Sequence, residues 1–183
     1  MPSPEDVRPK QCPACGVASR PAGAGLRLHG HGLRERWILG PASAEGSPEE
    51  RTASCRRYVC VICTAVMLVV PRAILPRRRY SASAIALALA LYGIERAAPA
   101  QVRRRVSPFE VIGYRAISGW VTLGRWAKAV RAGALFAEVR ACPASFTPRQ
   151  VAERAATTLG SRAPPPMDAP LTVRAFHGAA HAW

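Results

Sequence analysis

The sequence predicts an α+β protein: a small cysteine-knuckled β unit, then a helical region, then a disordered tail. Three observations carry this reading. Two Cys-x-x-Cys pairs stand at 12–15 and 60–63, a β-branched apolar run follows the second pair at 65–71, and apolar residues recur with helical spacing behind Ser and Thr caps after residue 80. At 183 residues and 49% hydrophobic content the chain can bury a core, as one domain or as two small ones. Its charge is less ordinary, since 26 Lys and Arg against 11 Asp and Glu give +15. Such an excess points to a polyanion, with nucleic acid first and an anionic membrane surface second. A GC-rich coding sequence, which inflates Ala, Arg, Gly and Pro together, is the alternative origin of that charge.

The elements follow in chain order. The opening "MPSPEDVRPK" has no apolar signal region, so the thiols are expected to stay reduced in a cytoplasmic protein, and closely spaced cysteines read as metal ligands before disulfides. Cys12 and Cys15 form the first knuckle, with Gly16 able to take the positive φ such a turn needs. Cys60 and Cys63 form the second, where Thr64 replaces the glycine and weakens the match. Together the four thiolates would make a closed structural zinc site. Cys55, His29 and His31 are alternative ligands, and Cys142 reads as a semi-buried thiol.

The 44 residues between Cys15 and Cys60 exceed the roughly 15 to 20 of compact zinc modules. The surplus lies in "LGPASAEGSPEERTAS" at 39–54, which reads as a flexible hairpin insertion. Its flanks, "LRLHGHGLRERWIL" and "CRRYVC", read as two strands, and "AVMLVVP" as the strand that closes a zinc ribbon over 8–72. Neither 59–70 nor 82–94 reaches the roughly 18 to 20 apolar residues of a spanning helix, so no membrane partner is expected.

A helical region is predicted over 73–160. Ser81 or Ser83 caps a buried helix that ends at Gly93. Ser107-Pro108-Phe109-Glu110 has the form of a capping box and predicts a short helix through about Tyr114. Leu123, Trp126, Ala127 and Val130 share one face of a helix ending near Gly133, and Arg125, Lys128 and Arg131 fall among its polar positions. A basic helix behind a short helix and a glycine-containing turn is the plan of a helix-turn-helix reader. Thr147-Pro148-Arg149-Gln150 opens a last helix with Val151, Ala155 and Leu159 on one stripe. From 161 to 183 no periodicity is evident, and the segment is expected to be disordered.

In order and content these elements resemble the N-terminal region of insertion-sequence transposases and related bacterial proteins, in which a zinc ribbon precedes a helix-turn-helix. The stretches that carry the resemblance are "CPAC" (12–15), "LHGHGLRERW" (28–37), "RRYVCVIC" (56–63), "LPRRRYS" (75–81) and "GWVTLGRW" (119–126). It implies structural Zn2+ and double-stranded DNA as the partner. It does not extend to catalysis: such a transposase positions three carboxylates around metal ions, and the aspartates here are Asp6 and Asp168 alone. No enzyme activity and no small-molecule substrate are expected.

The expected function is therefore a zinc-stabilised DNA-binding protein, transposase-related or a transcriptional regulator, without a catalytic domain. Its phosphate contacts would come from Arg34 and Arg36 on the hairpin, Arg77, Arg78 and Arg79 at the ribbon exit, Arg103, Arg104 and Arg105, and Arg125, Lys128 and Arg131. The alternative is a zinc-stabilised protein-interaction adaptor that docks through Trp37, Trp120, Trp126, Leu135 and Phe136.

Overall fold

A computed structural model describes residues 7–71, 73–117, 119–166 and 168–181, apart from the side chains of Arg115 and Ile117. Asp6 and the last two residues lie outside that set. The chain forms two compact units, one of 1–37 with 52–71, the other of 38–51 with 72–183. The class is α+β. Strands β1 (Leu28–Pro41), β2 (Pro48–Cys60) and β3 (Val66–Val69) make one sheet in the order β1-β2-β3. Among the described residues six helical segments follow: α1 (Ala82–Gly93), α2 (Pro99–Val106), the single turn α3 (Tyr114–Ile117), α4 (Val121–Arg131), α5 (Pro148–Gly160) and α6 (Leu171–Ala180).

In the first unit β2 and β3 are antiparallel, with Tyr58 opposite Met67 and Arg56 opposite Val69. This register puts Tyr58 and Met67 on one face, where they bury against Leu28, Cys12 and Cys60. The cluster is too small to hold a unit of this length by apolar burial alone, and small domains with such cores use disulfides or metals as staples. The run after Cys63 is the closing strand that its β-branched composition predicts.

The second unit is built around α1. Ser81 caps it by accepting from the Ala84 N–H at 3.1 Å, and every residue from Ala82 to Ala90 is buried. A helix apolar on all sides needs cover on all sides; α5, α6 and α2 supply it. The packing is close enough to demand glycine: a Cβ at Gly93 would collide with the backbone of Glu153. On α4, Leu123, Trp126, Ala127 and Val130 are buried as the periodicity predicts, and Trp126 joins Tyr80 and Trp120 in an edge-to-face cluster with centroids 5.0 to 5.8 Å apart. On α5, Thr147 and Gln150 form the expected capping box, and Val151, Ala155 and Leu159 are buried.

Four expectations need correction. The 161–183 segment is not a disordered tail, because α6 lies within it and buries Thr172, Ala175, Phe176 and Ala179 against the core. The 39–54 insertion is not a loose tip: β1 runs to Pro41, β2 starts at Pro48, Ala44 is buried, and Arg105 donates to the carbonyls of Ala44 and Gly46 at 2.6 and 2.5 Å. Residues 38–51 accordingly belong to the second unit, not to the ribbon. The Ser107 capping box opens no helix. Ser107 is instead the residue on which α2 ends, its N–H donating to the Arg103 carbonyl at 2.8 Å while its hydroxyl accepts from the Tyr80 hydroxyl at 2.9 Å, and helix resumes only at Tyr114.

Candidate metal centre and basic surface

The two cysteine knuckles are copies of one another. In the first, the Cys12 carbonyl accepts from the Gly16 N–H at 2.9 Å and the Cys12 N–H donates to the Val17 carbonyl at 2.9 Å. In the second, the Cys60 carbonyl accepts from the Thr64 N–H at 2.9 Å and the Cys60 N–H donates to the Ala65 carbonyl at 3.0 Å. Both turns close through a left-handed residue, Gly16 at φ 73° and Thr64 at φ 60°. Thr64 thus adopts the conformation a glycine would take more cheaply, and its hydroxyl donates to the Cys63 carbonyl at 2.7 Å.

The turns bring four sulfurs together. The Sγ atoms of Cys12, Cys15, Cys60 and Cys63 all lie within 4.8 Å of one another, with Cys12 to Cys63 at 3.7 Å and Cys15 to Cys60 at 3.8 Å. A tetrahedral ion with metal–sulfur bonds of about 2.3 Å requires sulfur–sulfur edges of about 3.8 Å. The donor set and its dimensions therefore fit a tetrathiolate metal ion. All six cysteines are free thiols. Cys55 is buried and turned to the Ala53 carbonyl, and the His29 ring pairs with the Leu26 carbonyl at 3.0 Å; neither they nor His31 join the sulfur cluster.

Backbone N–H groups aim into the cluster, as the knuckle turn dictates. Those of Cys15 and Ala14, with the neighbouring thiols, pull Cys12 down to about 7. Those of Cys63 and Ile62 lower Cys60 in the same way. Cys63 receives the Ala65 N–H, yet thiol neighbours led by Cys15, together with burial, push it up to about 12. Cys12 and Cys60 are thus lowered and Cys63 raised within one cluster, the pattern of neighbouring thiols that compete to ionise, and a cation among them would remove that competition. Cys55, by contrast, is raised by burial, with Arg36 opposing.

The basic residues divide into two groups. Several arginines are committed to the fold: Arg103 is buried and donates to the Ala116 carbonyl at 2.8 Å, Arg105 holds the hairpin turn, and Arg131 donates to the Phe146 carbonyl. These cations satisfy carbonyls at helix ends and turns, a use of charge that composition does not reveal. Arg34, Arg77, Arg79, Arg104, Arg125 and Lys128 are exposed, while Arg36 and Arg78 are half-buried. Arg79 meets Glu50 at 3.7 Å. On α4 the exposed stripe is Val121, Gly124, Arg125, Lys128 and Arg131, opposite the buried face. Of the proposed adaptor residues only Trp37 is exposed, at 59%; Trp120 is half-buried, and Trp126, Leu135 and Phe136 belong to the core. Among the described residues no helix is long and apolar enough to cross a membrane.

Comparison with family models, with curated proteins and with solved structures gave no match to this chain.

Proposed function

We propose that the protein is a DNA-binding protein whose β unit is held together by a structural zinc ion and whose contacts to DNA are made by exposed arginines and lysine, without a catalytic domain. The metal reading is supported by four sulfurs within 4.8 Å of one another, two of the pairs at 3.7 and 3.8 Å, and zinc is the ion that four thiolates on paired knuckles favour. Bound there, zinc supplies folding free energy; four protein ligands leave no open position for catalysis.

One observation carries the DNA reading: on α4 the basic side chains stand on the exposed face while the apolar ones are buried. A helix that presents Arg125 and Lys128 opposite an anchored face is shaped to meet phosphates and base edges. The chain spends other arginines on its own carbonyls but leaves these two outward, and Arg34, Arg77 and Arg104 add exposed charge. The relation to insertion-sequence transposases belongs to this proposal and rests on the sequence resemblance. The adaptor reading loses support, because most of its docking residues are core.

The test is duplex binding titrated with salt. Log affinity should fall linearly with log salt, and Arg125→Gln with Lys128→Gln should reduce the slope by about two units, since each neutralised phosphate contributes about 0.9. Affinity that ignores salt, or an unchanged slope in the double variant, contradicts the proposal.

A further inference from the structure

We propose that a recess along α5, formed by Arg140, Arg154, Arg162, Thr158, Ser161 and Glu138, binds a small phosphate ester that carries hydroxyl groups, such as a sugar phosphate. The recess holds about 610 Å3, within the range of small-molecule sites. It is independent of the metal centre and of α4, and it does not rest on the DNA reading.

The three guanidinium groups are the main argument. Arg154 is fixed in place: it donates to the Ala141 carbonyl at 2.8 Å and lies 4.7 Å from the centroid of the Phe146 ring. Arg140 and Arg162 also line the recess and are exposed, and neither guanidinium has a hydrogen-bond or ion-pair partner among the described residues. Three cations around one concave volume repel one another, and concavity strengthens their joint field. An anion relieves that repulsion. The planar fork of arginine fits phosphate oxygens in pairs, and Thr158, whose hydroxyl is a neutral donor, also lines the recess.

Glu138 narrows the ligand. Its Oε1 is buried with no hydrogen-bond partner among the described residues. A buried oxygen left unpaired costs free energy, and a bare phosphate would add repulsion to that cost. Glu138 as a residue is only half-buried and lines the recess, so its carboxylate can accept from a ligand hydroxyl while the phosphate meets the arginines. The backbone of DNA offers phosphate but no such hydroxyl, so a small sugar phosphate fits better than the duplex.

The experiment titrates the full-length, metal-loaded protein with ribose 5-phosphate and with inorganic phosphate by calorimetry at low salt. Ribose 5-phosphate is expected to bind about tenfold tighter than inorganic phosphate. Arg140→Gln with Arg162→Gln should weaken it at least tenfold, since each charge-assisted contact is worth about that factor. Glu138→Ala, which removes the acceptor, should erase the preference for the sugar ester. Both arginines are exposed, so their removal should leave thermal unfolding unchanged; if it does not, Arg162→Gln alone serves, with a smaller loss expected. The proposal is overturned if ribose 5-phosphate does not bind, if the arginine variants bind it as tightly as the parent, if Glu138→Ala keeps the preference, or if the arginine variants lose duplex affinity in place of ribose 5-phosphate affinity.

Discussion

Thr64 shows how much one residue can say and where its message stops. From the sequence it weakens the second knuckle, because a β-branched residue is a poor choice for a left-handed turn. The structure places it there nonetheless, at φ 60°, with the same carbonyl contacts that Gly16 makes. Tertiary demand overrides local preference when four sulfurs must converge. The strain persists in the folded state, so Thr64→Gly should stabilise the metal-loaded protein by about 1 kcal/mol, measured by denaturant unfolding, despite the removal of one exposed hydroxyl hydrogen bond.

The cysteines make a second prediction at this scale. Cys12 is lowered from 9.0 to about 7, so its folded thiolate is favoured, and this contribution holds above the unfolded value and is lost as pH falls through about 7. Cys63 is raised to about 12, so the metal-free fold favours its neutral thiol, and a bound metal must displace that proton. Metal uptake should therefore release protons, and apparent zinc affinity should climb as pH rises through about 7. Competition with a chelator between pH 6 and pH 8 measures it, and a flat profile contradicts it.

At the level of elements, legibility followed the strength of the local signal. The capping box at Thr147, the face of α4 and the closing strand could be read because spacing and caps agree there. The Ser107 box has the same letters, yet its hydroxyl serves Tyr80, a partner 27 residues away that local pattern cannot foresee. Helix α2 escaped notice because its three consecutive arginines drown a short apolar face of Val102 and Val106. Helix α6 escaped for the opposite reason: Thr172, Ala175, Phe176 and Ala179 keep helical spacing, but small residues give the face little apolar weight.

Small residues are what docking α6 requires. A Cβ at Gly178 would collide with the Leu159 carbonyl. In a free helix Gly→Ala gains up to about 1 kcal/mol, whereas a methyl driven into a neighbouring backbone costs about 1 to 3 kcal/mol. The collision should win, so Gly178→Ala is expected to lower the urea midpoint. A neutral or stabilising result would mean that α6 does not pack as described.

For the whole molecule, composition gives a charge of +15 but could not apportion it. Arg103, Arg105, Arg131, Arg149 and Arg154 each donate to a main-chain carbonyl, so part of the +15 is structural. Among the described residues Arg34, Arg77, Arg79, Arg104, Arg125, Lys128, Arg140 and Arg162 are exposed. Burial also moved most of the apolar residues that sequence alone offered to a partner into the core. Both sortings depend on contacts between segments distant in sequence. The four-cysteine cluster was legible because two short spacings fix each pair locally, and only the convergence of the two knuckles needed the fold.

That convergence is the central claim, and cobalt substitution tests it most directly. Titrating the reduced, metal-free protein with Co2+ should give a tetrahedral tetrathiolate spectrum that saturates at one ion per chain and is displaced by Zn2+, with the β unit ordering in step. Saturation with fewer than four thiolates bound, or a spectrum unchanged in a Cys12→Ala and Cys60→Ala double variant, would contradict it.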